Sequence, residues 1–365
     1  MAKSVVAFSL AEFDPTYTRV LIGNADFRYG DFTDLGTLEL ITGDASFENS
    51  QVENLGSLNT IGGSADFSFS NVKDLGNLTM IGDDAIFLRS SIQDLGNLNT
   101  IGGNANFSYA DFSNLGKLEV IIGNADFREN FYLKDLGNLT MIGGDAYFVD
   151  SEVKDLGNLT TIGGTADFRE NLYLKDLGNL TTIERNAYFG DSQIKNLGNL
   201  TTIGGSAFFS YSQVADLGNL TTIGGNAIFR DSQVESLGNL TTINGNADFR
   251  DSQVEDLGNL TTIRYNADFL KSKIQELGSL NTIGGDANFY ESRVESLGNL
   301  TTIGGSADFR DSQVADLGNL TTIEGNAYFR DSQVESLGNL TTIGRGVYFG
   351  DRTYLEAEWE KRKNK

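Results

Sequence analysis

The chain has 365 residues, with 50 Asp and Glu against 27 Lys and Arg, 43 Gly, one Pro and neither His nor Cys, for a net charge of −23. Without His or Cys it has no Ser-His-Asp or Cys-His nucleophile system, no thiol redox chemistry and none of the usual zinc, haem or iron–sulfur ligation, and no cofactor is expected. So acidic a surface repels phosphate and anionic headgroups, which argues against direct nucleic-acid binding and against membrane association; the missing cysteines suit a reducing cytoplasm.

Residues 1–16 read as an N-terminal cap. Ser9-Leu10-Ala11-Glu12 has the form of a weak capping box, broken by Pro15. The apolar run Ser4–Ala11 is short and lacks a convincing cleavage site, so a cap is preferred to a signal peptide. From Tyr17 to Asp34 runs a degenerate first coil, with Ala25-Asp26-Phe27 at its strand position. After it the tetrapeptide Leu-Gly-x-Leu recurs sixteen times, from Leu35 to Leu337, every 20 residues except for steps of 21 at Leu115 to Leu136 and Leu156 to Leu177. Both longer steps carry the variant Arg-Glu-Asn-[Phe/Leu]-Tyr-Leu, which places the extra residue in one corner.

A fixed period of this length is the mark of a solenoid. Within one unit the apolar positions are Leu237, Leu240, Ile243, Ala247, Phe249 and Val254, and no helical period passes through them. Ala247-Asp248-Phe249 alternates as a strand does, with Ala and Phe inward. Gly pairs such as Gly224-Gly225 are assigned corner conformations that a Cβ resists. Each coil is then about three short strands joined by tight corners, stacked in parallel roughly 4.8 Å apart. The expectation is all-β: a right-handed parallel β-helix of about 16–17 coils of 20–21 residues, a single domain over 17–350, on the order of 80 Å long. One coil has too little core to offset the entropy of ordering it, so both ends need caps. The second cap is a helix over 351–365. Thr353-Tyr354-Leu355-Glu356 has the form of a capping box, acidic residues precede Lys361, Arg362 and Lys363, and Leu355 and Trp359 share the face that covers the last coil.

The pattern L-x-x-L-x-x-I-x-G-x-[AL]-x-[FI], clearest over Leu172–Ile183, resembles the leucine-rich repeats of receptor L domains, which form right-handed β-helices. Ala247-x-Phe249 and Ser252-x-Val254 are similar to pentapeptide repeats, whose rods imitate duplex DNA in some inhibitors. That resemblance implies a decoy for a basic nucleic-acid-binding protein.

Candidate chemistry is weak at each motif. Asp231, Asp251, Asp311 and Asp331 recur at one consensus position and read as a solvated face rather than a glycosidase pair. The calcium β-roll signature and the Lys-Ser/Thr of a phosphate loop are missing from the Gly-rich corners. The eleven Asn-Leu-Thr sequons, such as Asn77, Asn138 and Asn239, keep the repeat period and read as corner ladders, and the adjacent Thr241-Thr242 pair lacks the Thr-x-Thr spacing of an ice-binding face.

Information therefore lies where outward positions depart from consensus. The middle residue of Ala-x-Phe becomes Tyr188, Phe208 and Ile228 in consecutive coils, and with Tyr147 and Tyr211 this predicts an exposed apolar contact strip. Tyr29, Phe69 and Tyr109 stand where later coils have Asp and form a second aromatic candidate. The position after the Val/Ile/Leu core residue is Lys134, Lys154, Lys175 and Lys195, then Glu235 and Glu255, a candidate charge stripe that Asp135, Asp155 and Asp176 are placed to offset. The function expected is a non-enzymatic cytoplasmic scaffold for a protein partner of basic character, in its sharper form an inhibitor or DNA mimic. A homodimer through a terminal cap is compatible with it. The alternative is an extracellular or surface structural or adhesion repeat, and last a carbohydrate-active β-helix enzyme.

Overall fold

The computed structural model describes residues 6–7 and 9–363, and the chain forms an all-β parallel solenoid of about 16 turns with one C-terminal helix. It divides into two compact units, Met1–Glu184 and Arg185–Lys365. The same coil builds both. In each turn a two-residue strand such as Thr242–Ile243 is followed by a second such as Ala247–Asp248. Each strand pairs in parallel with its counterpart one repeat away, as in Thr222↔Thr242 and Ala227↔Ala247 in the second unit and Ala105↔Ala125 in the first.

The third edge is narrower than a strand. Single bridging residues such as Asp74↔Asp94 and Asp216↔Ser236 hold it. Reverse turns consume the residues on either side. Leu240 N–H closes on Leu237 O at 3.0 Å and Ser252 N–H on Phe249 O at 3.2 Å.

Alternation turns one set of side chains inward. Leu237, Leu240, Ile243, Phe249 and Val254 are fully buried, as are their counterparts in the inner turns of each unit, while Phe32 and Ile343 in the end turns are partly exposed. The phenylalanines form a column within each unit: Phe47 and Phe67 stack at 4.9 Å between centroids in the first, Phe209 and Phe229 at 5.1 Å in the second, with rings nearly parallel. Backbone bonds run both ways from each coil. Gly224 N–H donates to Ile203 O of the preceding turn at 2.8 Å, and Phe229 N–H donates to Asp248 O of the next at 2.8 Å. Side chains extend the same ladders. Asn239 Nδ2 donates to Gly218 O at 3.3 Å, Thr241 Oγ1 to Thr221 O at 3.0 Å, and Asn246 N–H to Asn226 Oδ1 at 2.8 Å. The sequons and the first Thr of each pair are thus stacking devices.

The Gly pair works differently from expectation. Left-handed backbone belongs to the glycine of Leu-Gly-x-Leu (Gly238, φ +54°) and to the residue two after Phe (Asp251, φ 52°). Gly224 is needed for close approach, since a Cβ there would lie 2.0 Å from Gly204 O.

The two 21-residue turns, both in the first unit, keep register through a buried Asn. Asn130 and Asn171 replace the usual Ser and are fully buried. Asn171 Nδ2 donates to Ser151 Oγ at 3.1 Å and Val153 O at 3.2 Å, while its Oδ1 accepts the N–H of Tyr173 at 3.0 Å and of Leu174 at 2.8 Å. The inserted residue is therefore pushed outward.

Of the expected N-terminal cap, residues 1–5 and 8 lie outside the described residues. Val6–Ala7 pairs with Val20–Leu21, and Phe13 packs edge-on against Phe27 and Phe32, at 6.0 and 5.2 Å between centroids. Ser9 makes no side-chain cap on the Leu10–Glu12 turn.

Helix α1 (Thr353–Lys363) buries Leu355 and Trp359 as expected. It begins one residue before a Thr353 cap would place it, and Arg352 O takes the N–H of Leu355 and Glu356. Its side chains take the place of a further coil. Arg362 donates to Gly338 O at 2.9 Å, the carbonyl type that elsewhere accepts an Asn of the next turn. Glu358 accepts Leu337 N–H at 3.1 Å, a bond that in inner turns goes to the next coil's backbone. Burial raises the Glu358 pKa, but Leu337 N–H and the Arg362 guanidinium together hold it below the ordinary glutamate value.

Two outcomes follow. Asn171→Ala strands buried backbone groups and should lower unfolding stability by about 1–3 kcal/mol in denaturant titration, against no change for exposed Glu235→Ala. Because the Glu358 pKa is depressed, its contribution is present above the unfolded value near 4.3 and lost as pH falls through the folded one. Fluorescence of Trp359, the single tryptophan, should report α1 loosening in that acid range, and Glu358→Gln should remove this transition.

Candidate functional site

Chemistry on this fold is confined to outward columns, one residue per turn. On the Ala-x-Phe strand the middle Asp points out and is gripped by the Arg two residues on. Arg250 Nε and Nη2 donate to the two Asp248 oxygens at 2.8 and 2.5 Å, and Asp126–Arg128, Asp167–Arg169 and Asp308–Arg310 repeat the fork. Much of the acid on this face is thus neutralised in place. Asp268 is half-buried; burial pushes its pKa up against the Leu270 N–H and Arg250.

Tyr188, Phe208 and Ile228 are consecutive in this column of the second unit. The rings of Tyr188 and Phe208 stack at 4.6 Å, 4° from parallel. The three are half-buried rather than fully exposed. Gly190 and Ser210 stand beside the first two, where other turns have the gripping Arg, and Arg230 stands beside Ile228. Tyr147 occupies the same column of the first unit, between Asp126 and Asp167. Arg128 lies over its ring at 5.3 Å and its hydroxyl donates to Asp145 at 3.2 Å.

Tyr211 does not share that column. It stands at the next corner, 61% exposed, in the left-handed conformation (φ 59°). Tyr29, Phe69 and Tyr109 hold the same corner in the first unit, with φ of 59°, 52° and 54°. Asp and Asn adopt this conformation readily, bulky side chains at a cost of about 1–2 kcal/mol. Arg89, at the corner between them, lies 6.0 Å from the Phe69 ring and 5.4 Å from that of Tyr109. A bond to Glu129 raises the Tyr109 pKa.

The charge stripe is assembled otherwise than expected. Asp155 and Asp176 accept the N–H of Gly157 and Gly178 at 2.7 and 2.9 Å, capping the Leu-Gly turn rather than pairing with lysine. Lys134 pairs with Glu152 and donates to Phe131 O at 2.8 Å; Lys175 donates to Leu172 O at 3.2 Å. Lys154 and, in the second unit, Lys195 are exposed and joined to their columns through the backbone. Glu255 N–H donates to Glu235 O at 2.8 Å, and the Glu255 carboxylate lies 3.7 Å from Lys273.

Sequence reasoning located the two insertions but not what they display. Phe131, Tyr132, Leu172 and Tyr173 are 49%, 54%, 56% and 47% exposed. Between the two bulges, across the uninserted turn that carries Glu152, lies a cleft of about 250 Å³. The second unit has a larger cleft, about 480 Å³, beside Tyr290 and Tyr328; Arg310, already gripped by Asp308, lies over both rings at 5.9 and 5.4 Å.

Among the described residues no helix is long and apolar enough to cross a membrane. No family model, no curated protein and no solved structure matches this chain, so its place rests on the coil and its outer columns alone.

Proposed function

We propose that this chain is a non-enzymatic cytoplasmic scaffold that binds a basic protein partner. The observation that carries the reading is the Tyr188–Phe208–Ile228 ladder. It is an apolar strip of three consecutive turns on a regular sheet face, with the Tyr188 and Phe208 rings stacked, on a chain of net charge −23. Apolar contact fixes the partner in place, and the acidic field draws it in and screens out acidic competitors.

The sharper form is an inhibitor that occupies a nucleic-acid-binding protein by imitating duplex DNA. Its support is the corner column of the second unit, where Asp231, Asp251, Glu291, Asp311 and Asp331 recur outside the Asp–Arg forks, with Lys271 interrupting them and three of the five beside a Lys or Arg. A repeat protein of this build has no need of a reaction centre to act in either form.

The test is affinity capture on the full chain, followed by titration of the captured protein against the wild type and the triple variant Tyr188→Asp, Phe208→Asp, Ile228→Asp. A basic protein that binds saturably and loses at least tenfold in affinity with the variant supports the reading. Unchanged affinity in the variant, or no saturable partner, contradicts it. In the decoy form binding also competes with duplex DNA and weakens steeply with salt.

A further inference from the structure

A cleft lies in the first unit, apart from the ladder, and it is built by the two breaks in the repeat period. The same insertion, Arg-Glu-Asn-[Phe/Leu]-Tyr-Leu, occurs in two turns separated by one uninserted turn. Buried Asn130 and Asn171 anchor each bulge from inside. Two turns apart means walls roughly 10 Å apart, from a rise near 4.8 Å. The walls are Phe131 on one side and Leu172 with Tyr173 on the other, all large and exposed, and the floor is the shorter turn at Ser151-Glu152.

The rim carries charge of one sign. Glu129, Asp150 and Glu170 occupy the left-handed corner in three consecutive turns, with φ of 52°, 54° and 58°, and all three border the cleft. Like charges on adjacent rungs repel. In the same column of the second unit Asp231, Glu291 and Asp331 have a Lys or Arg within 4 Å (3.4, 3.7 and 3.0 Å), while Asp191, Asp251 and Asp311 have no ion pair among the described residues; the three rim carboxylates also have none, in three consecutive turns, with Glu129 bonded to the Tyr109 hydroxyl. Nor do they converge on one point closely enough to hold a metal ion. The site's own chemistry indicates the guest it suits. At the edge of the cleft the Lys134 ammonium pairs with Glu152 and lies 6.0 Å from the centre of the Tyr173 ring, an arrangement of cation, carboxylate and aromatic face. At about 250 Å³ the cleft is smaller than the roughly 300–1,000 Å³ of pockets for drug-sized molecules.

We infer that this cleft receives a Lys or Arg side chain from a basic peptide segment of a protein partner, its aliphatic stem between Phe131 and Leu172–Tyr173 and its charged head at the Glu129–Asp150–Glu170 rim. The test is fluorescence anisotropy of a labelled octapeptide alternating lysine and glycine, titrated with the full chain. Asp150→Asn with Glu170→Gln removes rim charge, and Phe131→Ser with Leu172→Ser removes the walls while leaving every charge in place. Asp311→Asn with Asp331→Asn removes equal charge from the corresponding corner of the second unit. Saturable binding is expected, weakened at least tenfold by the rim pair and at least fivefold by the wall pair, and less than twofold by the control pair. The ladder variant should bind the peptide as the wild type does, which separates this inference from the one above. Equal weakening by rim and control pairs, a wall pair without effect, or no saturable binding would overturn it.

Discussion

No turn of this chain holds itself together. Twenty residues supply five or six inward side chains, too small a core to offset the entropy of ordering the turn, and what makes each turn stable is the turn on either side of it. The phenylalanine column, the Asn and Thr side chains bonded to the preceding backbone, and strand bonds running in both directions are all forms of that one dependence. It explains why the inward positions hardly vary, and why each end meets a segment that imitates a turn: Phe13 laid against Phe27 at the front, and Arg362 and Glu358 standing in for an absent Asn and an absent backbone carbonyl at the back.

The same dependence fixes where novelty is permitted. An inward change disturbs three turns at once, whereas an outward one disturbs little. The chain uses that freedom in three ways: it grips most sheet-face Asp residues with their own Arg, replaces the Asp by an apolar ladder in three consecutive turns, and twice inserts a residue that a buried Asn turns into a bulge. Aromatic residues in left-handed corners add local strain that the stacked scaffold absorbs, a common feature of contact positions.

The period, the inward set and the terminal helix were legible in the sequence because each is set by alternation and spacing. Phe249 had to face in if Ala247 did, and Leu355 and Trp359 had to share a face. What was not legible depends on where turns touch. Gly224 reads as a flexible corner until the carbonyl of the preceding turn is placed against it. Asp251 reads as surface charge until its backbone proves left-handed, and Asp248 until Arg250 closes on it. Asp155 is adjacent to Lys154 in sequence, yet its carboxylate reaches the nearer Gly157 amide. The cleft was hidden for the same reason. Two insertions 41 residues apart by their Asn positions (130 and 171) become neighbours only once the turn between them is stacked.

Mutual support between turns is tested most directly by amide hydrogen exchange on the full chain and on Phe209→Ala. In the wild type the amides of Phe189, Phe209 and Phe229 should be strongly protected and the corner amides weakly. In the variant, protection should fall at Phe189 and Phe229 as well as at the substituted turn. Loss confined to the substituted turn, with its neighbours exchanging as before, would contradict the account.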